Sequence, residues 1–263
     1  GPGHGTLSED IHRTLKQICP NFSLSPLHFI EMSNSLRKLQ EKKLKSQSVH
    51  WHKNFKEIPQ KPLFAVANEF FDALGVDQAF YDGEFWRERL LNYNGQFELV
   101  AGSILNKKQL ELFETNLIKN PKRGTIIEYC SKAKQIIFDV SLHIKQFGGA
   151  LLIIDYGKMN QIGDTIQAVS NHRPVETWST AGDADISHWV DFNSIKKTTE
   201  KIGARFIGPV PQAHFLTQIG IKERAQNLVK TDSPNHNRAL LAAVDRLISP
   251  SHMGNIFQVG LIL

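Results

Sequence analysis

The chain has 263 residues, 41% of them hydrophobic and 22% charged, which suits one large folded domain and argues against a disordered or low-complexity chain. Its net charge of +5 comes from scattered lysines. The densest stretch, Lys38 to Lys45, reads as a solvated helix face, so no nucleic-acid partner is expected. No apolar run is long enough to span a membrane, and no membrane insertion is expected. Cys19 and Cys130 lie far apart and lack metal-ligand spacing, which predicts free thiols; His172, His188 and His214 lack zinc spacing too, and no metal is expected.

Gly1, Gly3 and Gly5 form a glycine cluster that runs directly into a helix, Leu7 to Ile18, with apolar residues at Leu7, Ile11, Leu15 and Ile18. Such a turn brings backbone N–H groups close to a nucleotide-like ligand. It ordinarily follows a strand, and the expected fold is one whose first strand is missing. Leu27 to Glu31 reads as a short buried strand, and Ser33 to Lys45 as a helix capped at Ser33. Pro62 to Asn68 is a continuous apolar run of the kind found in central parallel strands, and Gly149 to Asp155 is another. Ile126 to Phe147 reads as a long helix between them. From Val76 to Leu105, Asp82-Gly83 and Asn94-Gly95 punctuate alternating segments and predict β-hairpins. Lys158 to Asp191 has no clear period. Helices are expected over Asn193 to Ile202, Phe215 to Leu228 and Arg238 to Ile248, with a closing strand from Ile256 to Leu263. Strand and helix alternation of this kind makes an α/β sheet.

In open parallel sheets, ligands sit beyond the carboxyl ends of the strands. Three acidic groups fall at such ends: Glu31; the run Asn68-Glu69-Phe70-Phe71-Asp72; and Asp155-Tyr156-Gly157. Glu31 also stands at roughly the spacing, twenty-odd residues after the turn, at which a carboxylate holds ribose hydroxyls. Helix capping is the alternative role for Glu31, beside Ser33. Trp51-His52 can flank a flat adenine ring, although a tryptophan is more commonly core. Phe70 and Phe71 read as packing. The glycine spacing is not G-x-G-x-x-G, which counts against a nicotinamide-dependent oxidoreductase.

The stretches GPGHGTLSEDI, LHFIEMSNSLRKLQ, VANEFFDAL, GGALLIIDYG, GDTIQAV followed by His172, GDADISHWVDF, FLTQIGIKER and MGNIFQV occur in one order over nearly the whole chain. Together they resemble the MidA-like family of S-adenosylmethionine-dependent methyltransferases, which includes a mitochondrial complex I assembly factor that methylates an arginine of a complex I subunit. The resemblance implies a Rossmann-like methyltransferase fold with a hairpin-rich insertion over 76–105. It implies a single methyltransferase domain over 1–263 that lacks its N-terminal part, with S-adenosyl-L-methionine as cofactor and a protein substrate. Gly1, Gly3 and Gly5 would then form the methionine-side turn, Glu31 would hold the ribose, and Trp51 and His52 would lie near the adenine. Asn68 and Glu69 would sit where the methyl group faces the substrate. Asp155 with Tyr156, and the segment Asp185 to Asp191 with His188, would shape the substrate side. Carboxylates suit a guanidinium acceptor because they meet its planar fork with paired charge-assisted hydrogen bonds, and Glu69 with Asp72 is the best such pair here. His4 and Lys53 depart from the family's usual arginine and acid. An inert assembly or binding factor is the alternative function. The expected compartment is the cytoplasm for a bacterial chain, the preferred reading, and the mitochondrion for a eukaryotic one.

Overall fold

The computed structural model describes residues 1–21, 25–45, 47–113, 118–171, 173–178, 182–230 and 233–263. It divides into two compact units, Gly1–Pro62 and Leu63–Leu263. Among the described residues no helix is long and apolar enough to cross a membrane, and Cys19 and Cys130 are free thiols.

The first unit holds α1 (Thr6–Ile18), β1 (Leu27–Ile30), α2 (Asn34–Lys43) and β2 (Val49–His52). β1 and β2 pair in parallel, from Leu27 with Val49 to Ile30 with His52. Parallel neighbours need a crossover, and α2 supplies it. The α2 helix starts where Ser33 accepts the Leu36 N–H at 3.3 Å, as expected of a capping serine. Phe29 is buried and meets Trp51 edge to face at 6.2 Å.

The second unit follows with β3 (Leu63–Asn68), β4 (Asp77–Tyr81), β5 (Trp86–Tyr93), β6 (Phe97–Ile104), the single turn α3 (Lys107–Leu110) and β7 (Ile126–Tyr129). Next come α4 (Ser131–Phe147), β8 (Gly149–Lys158), β9 (Gln167–Ser170), β10 (Arg173–Val175), β11 (Asp185–Ser187) and β12 (Val190–Asp191). The chain closes with α5 (Phe192–Ile202), β13 (Phe206–Pro211), α6 (Gln212–Gln218), α7 (Ile221–Leu228), α8 (Pro234–Ile248), α9 (Met253–Ile256) and β14 (Phe257–Ile262).

The main sheet is built on β8. β3 runs parallel to its first part, Leu63 to Asn68 beside Gly149 to Ile154, and β12 runs parallel to its last two residues. β14 lies antiparallel on the other edge, and β13 lies antiparallel to β14. Gly157 makes the β12 pairing possible: a Cβ there would stand 2.2 Å from the Val190 carbonyl oxygen. The helices α4 and α5 bring Ile137, Val140, Ile144, Phe192 and Ile195 into the core, and Ser141 meets Thr199 between them at 3.3 Å.

The two hairpins turn at 82–85 and 94–96, giving the antiparallel sheet β6-β5-β4-β7. Four expectations change. Ile126–Tyr129 is a strand on β4, not the start of a helix, and the helix begins at Ser131 behind the Cys130 cap. An isoleucine pair fits either period, and the open edge of β4 decides it. The Phe215–Leu228 helix is two helices, broken where Gly220 adopts a left-handed φ of 89°. The irregular zone carries a small sheet, β10-β9-β11. β8 continues three residues past Asp155, so Asp155 lies inside the strand instead of at its end.

Candidate functional site

In the first unit the glycine turn is held by a Gly5 N–H to Pro2 O bond of 2.9 Å, with φ of 55° at Gly3 and 78° at Gly5. Those left-handed angles suit glycine and disfavour other residues. Gly1 donates its backbone nitrogen to Ile30 O at 2.8 Å, so the turn sits at the carboxyl end of β1. A Cβ on Gly3 would meet nothing within 4 Å, which leaves that backbone open to a ligand.

Glu31 follows β1 and is buried. Its Oε1 accepts the Ser33 N–H at 2.8 Å and its Oε2 accepts from Gln40 at 3.2 Å. One donor on each oxygen leaves each with a lone pair for a diol. Arg37 clamps the Glu31 carbonyl, and His52 O receives the Glu31 N–H at 3.1 Å. The serine, not the glutamate, caps α2.

Gln40 is the residue that sequence reading missed. It is fully buried, and its amide joins three of the expected cofactor positions. Nε2 donates to Gly3 O at 2.7 Å and to Glu31, while Oε1 accepts the Trp51 indole N–H at 2.8 Å. The available signal was an amide between Leu36 and Leu44 on the apolar face of α2. The indole of Trp51 is thus bonded inward, and its ring stays half-buried. His52 bonds His28 between Nε2 and Nδ1 at 2.9 Å and stacks on it at 5.1 Å. An open glycine turn and a carboxylate with free lone pairs fit a nucleoside with a ribose diol.

In the second unit, β3 ends at Asn68 and the chain turns at once. Glu69 is exposed and has a left-handed φ of 49°, a strained conformation for a residue with a Cβ. Asp155 imposes the turn. Its Oδ2 accepts the N–H of Phe70 at 3.2 Å and of Phe71 at 2.8 Å, and its Oδ1 accepts the Tyr156 N–H at 2.9 Å. Asp155 has no exposed surface. Burial, then the nearby Asp72, push its pKa up to about 7 against the lowering effect of those N–H bonds. Asp155 therefore anchors the turn from beneath. Asp72 is half-buried, and burial and then Glu69 raise its pKa, while His188 lowers it. Glu69 and Asp72, the expected pair, thus share one electrostatic neighbourhood. Asn68 donates to Glu69 Oε1 at 3.3 Å.

His188 is buried, and its backbone N–H bonds Asp72 O at 3.0 Å. Nδ1 lies 3.1 Å from Trp189 O, and Nε2 makes no hydrogen bond among the described residues. Asp191 caps α5 through the Asn193 N–H at 3.0 Å. Tyr156 packs against Trp189 at 4.7 Å and reaches Gln167 at 3.3 Å, a supporting role. Asp185 is exposed and pairs with Val169 on the small sheet. His172 lies outside the described residues. A second network was not expected: Glu128, buried on β7, accepts from Gln78 and Thr165, and Gln78 also reaches Asp164, which pairs with Arg89.

The chain resembles several known proteins. The mitochondrial protein arginine methyltransferase NDUFAF7 of Bos taurus is 29% identical, over 98% of this chain and 64% of that protein. The Homo sapiens protein is 28% identical, over 100% of this chain and 65% of its own length, and the Danio rerio protein is 27% identical over 100% and 67%. The chain spans about two thirds of the length of the curated relatives it matches. Two crystal structures from Burkholderia thailandensis have the same fold, with TM-scores of 0.84 and 0.83. Each is 23% identical and covers all of this chain; the chain covers 72% and 69% of theirs, and the second was solved with S-adenosyl-homocysteine bound. The family model described as "Putative S-adenosyl-L-methionine-dependent methyltransferase" matches residues 1–210, and the chain belongs to that family.

Proposed function

We propose that this chain is an S-adenosylmethionine-dependent protein methyltransferase that acts on an arginine of a partner protein, a respiratory complex I subunit or a related chain. One observation carries this reading: Glu69 is held at a left-handed φ just after β3, beside a second carboxylate, by a buried aspartate that anchors the turn. Strain of this kind persists where the surroundings over-determine it, as they do at functional sites.

S-adenosylmethionine supplies an electrophilic methyl group on a sulfonium. The first unit carries the chemistry for holding such a donor: the glycine turn, Glu31 for the ribose, and Gln40 to fix both. The second unit carries the chemistry for the acceptor. Glu69 and Asp72 orient the guanidinium by charge-assisted hydrogen bonds. As the new N–C bond forms, the attacking nitrogen gives up one proton. Asp72, with its pKa raised by burial and by Glu69, is a stronger base than an ordinary carboxylate and accepts that proton. The named relatives are mitochondrial, which supports the mitochondrial reading for a eukaryotic chain.

The test has two parts. Calorimetric titration with S-adenosylmethionine should show binding, with NAD as a competing ligand that gives no heat. Labelled methyl should then pass to arginine of a complex I subunit in the wild type and not in Glu69→Gln. Binding without transfer to any protein would leave the inert assembly factor as the function. No binding would refute the enzyme altogether.

A further inference from the structure

Beside β5, in the second unit, lies a cleft of about 430 Å³. That volume falls in the range of ligand sites, roughly 300–1,000 Å³. Leu90, Leu91, Leu99 and Trp178 give it apolar walls, and Asp77 and Glu88 place two carboxylates in it. The register sets both acids on the face of the sheet that carries the Ala79–Trp86–Ile127 core, because Asp77 pairs with Tyr129 and Ala79 with Glu88. Arg89, the cation in the cleft wall, is engaged elsewhere, with Asp164 at 2.5 Å and Gln78 at 2.9 Å. The Glu88 carboxylate makes no hydrogen bond or ion pair among the described residues. A half-buried carboxylate beside Leu90, with no neutralising partner, favours a cation from outside.

Two further features belong to the cleft. Gly102 interrupts β6 where a Cβ would stand 2.8 Å from Leu90 Cδ1 and 2.9 Å from Glu88 Cβ. The β5–β6 register also shifts between Arg87 and Arg89. A glycine beside a bulge in mid-strand leaves room for the Leu90 and Glu88 side chains, both of which line the cleft. The cleft adjoins a second cavity near the acceptor cluster. Tyr129 lines both it and the smaller cavity bounded by Phe71, His188 and Asp191. Val76, on the same segment as Asp72, lines it as well.

We propose that this cleft seats a basic and apolar segment of the protein substrate, flanking the arginine presented to Glu69 and Asp72. The proposal rests on the arginine methylation proposed above. An apolar side chain of the substrate fills the leucine walls, and a lysine or arginine beside it neutralises Asp77 and Glu88.

The test is fluorescence anisotropy on the full chain, with a labelled peptide in which leucine and lysine alternate around a single arginine. The peptide binds the wild type, and Glu88→Lys and Leu91→Asp each weaken it by about tenfold or more. A matched peptide with glutamate in place of lysine does not bind. The thermal unfolding transition of the second unit stays at the wild-type midpoint in both variants, which shows that the unit carrying the cleft folds. Unchanged peptide affinity in both variants, no binding to the wild type, or equal binding of the acidic peptide overturns the proposal. A dimer in sedimentation that Leu91→Asp dissolves also overturns it, by making a second copy the occupant. Specific peptide binding with no methyl transfer upholds the cleft while removing the reaction.

Discussion

Asp155→Asn isolates the residue beneath the acceptor cluster. In the wild type one carboxylate oxygen takes the N–H groups of Phe70 and Phe71 and the other takes that of Tyr156. An asparagine keeps one acceptor oxygen and turns an NH₂ group toward the remaining N–H. The buried donors left facing each other cost about 1–3 kcal/mol at every pH. The carboxyl adds an effect that depends on pH. Its pKa rises from an ordinary 3.8 to about 7 on folding, so the folded state binds the proton more tightly than the unfolded one. The stability that this proton contributes is fully present below about 4 and is lost as pH rises through about 7, amounting to about 4 kcal/mol. Asparagine has no such dependence. Urea unfolding at a series of pH values should therefore show the variant weaker than the wild type near pH 4. The difference should shrink by about 4 kcal/mol toward pH 8, until the variant equals or exceeds the wild type. A difference that stays constant would refute the raised pKa. A difference that widens with pH would show that the three N–H donors outweigh burial and hold the carboxylate ionised. Because the turn that positions Glu69 hangs on this side chain, methyl transfer should fall in the variant at every pH while S-adenosylmethionine affinity stays near the wild-type value.

Glu69→Gly should relieve the left-handed strain and stabilise the fold by about 1 kcal/mol in thermal unfolding, yet abolish transfer; retained transfer would remove Glu69 from the site. Glu31→Gln should weaken cofactor binding by about 1–3 kcal/mol in calorimetry, and a lowered melting temperature with intact affinity would make Glu31 purely structural. Gln40→Leu strands Gly3 O, Glu31 Oε2 and Trp51 Nε1 and should cost about 3 kcal/mol of stability or more, with cofactor affinity lost alongside; calorimetry showing wild-type affinity would count against Gln40 as the link. The transfer rate should fall on acidification through the raised pKa of Asp72, and because His188 lowers that pKa, His188→Asn should move the acid limb of the pH–rate profile upward. A limb in the ordinary carboxylate range in both proteins would rule out Asp72 as the base.

Local pattern alone determined a good part of this protein. Glycines at positions 3 and 5, the capping Ser33, the Asp82-Gly83 and Asn94-Gly95 turns and the apolar runs ending at Asn68 and through Asp155 act over a few residues, so the sequence carries them openly. The structure bore them out. The strand or helix choice at Ile126–Tyr129 was not local, because it depended on the open edge of β4, a partner roughly fifty residues away. The same holds within the sites. Glu31, Glu69 and Asp72 stood out as acids after strands. Their working states were decided by groups distant in sequence: Gln40 reaching back to Gly3 and Glu31, and Asp155 reaching across to Phe70 and Phe71. A buried amide or carboxylate acquires its partners, and a carboxyl its pKa, only when folding removes water and brings distant chain together. That is why the candidate residues were legible in the sequence, while the strain at Glu69, the anchoring role of Asp155 and the hub at Gln40 belong to the tertiary structure.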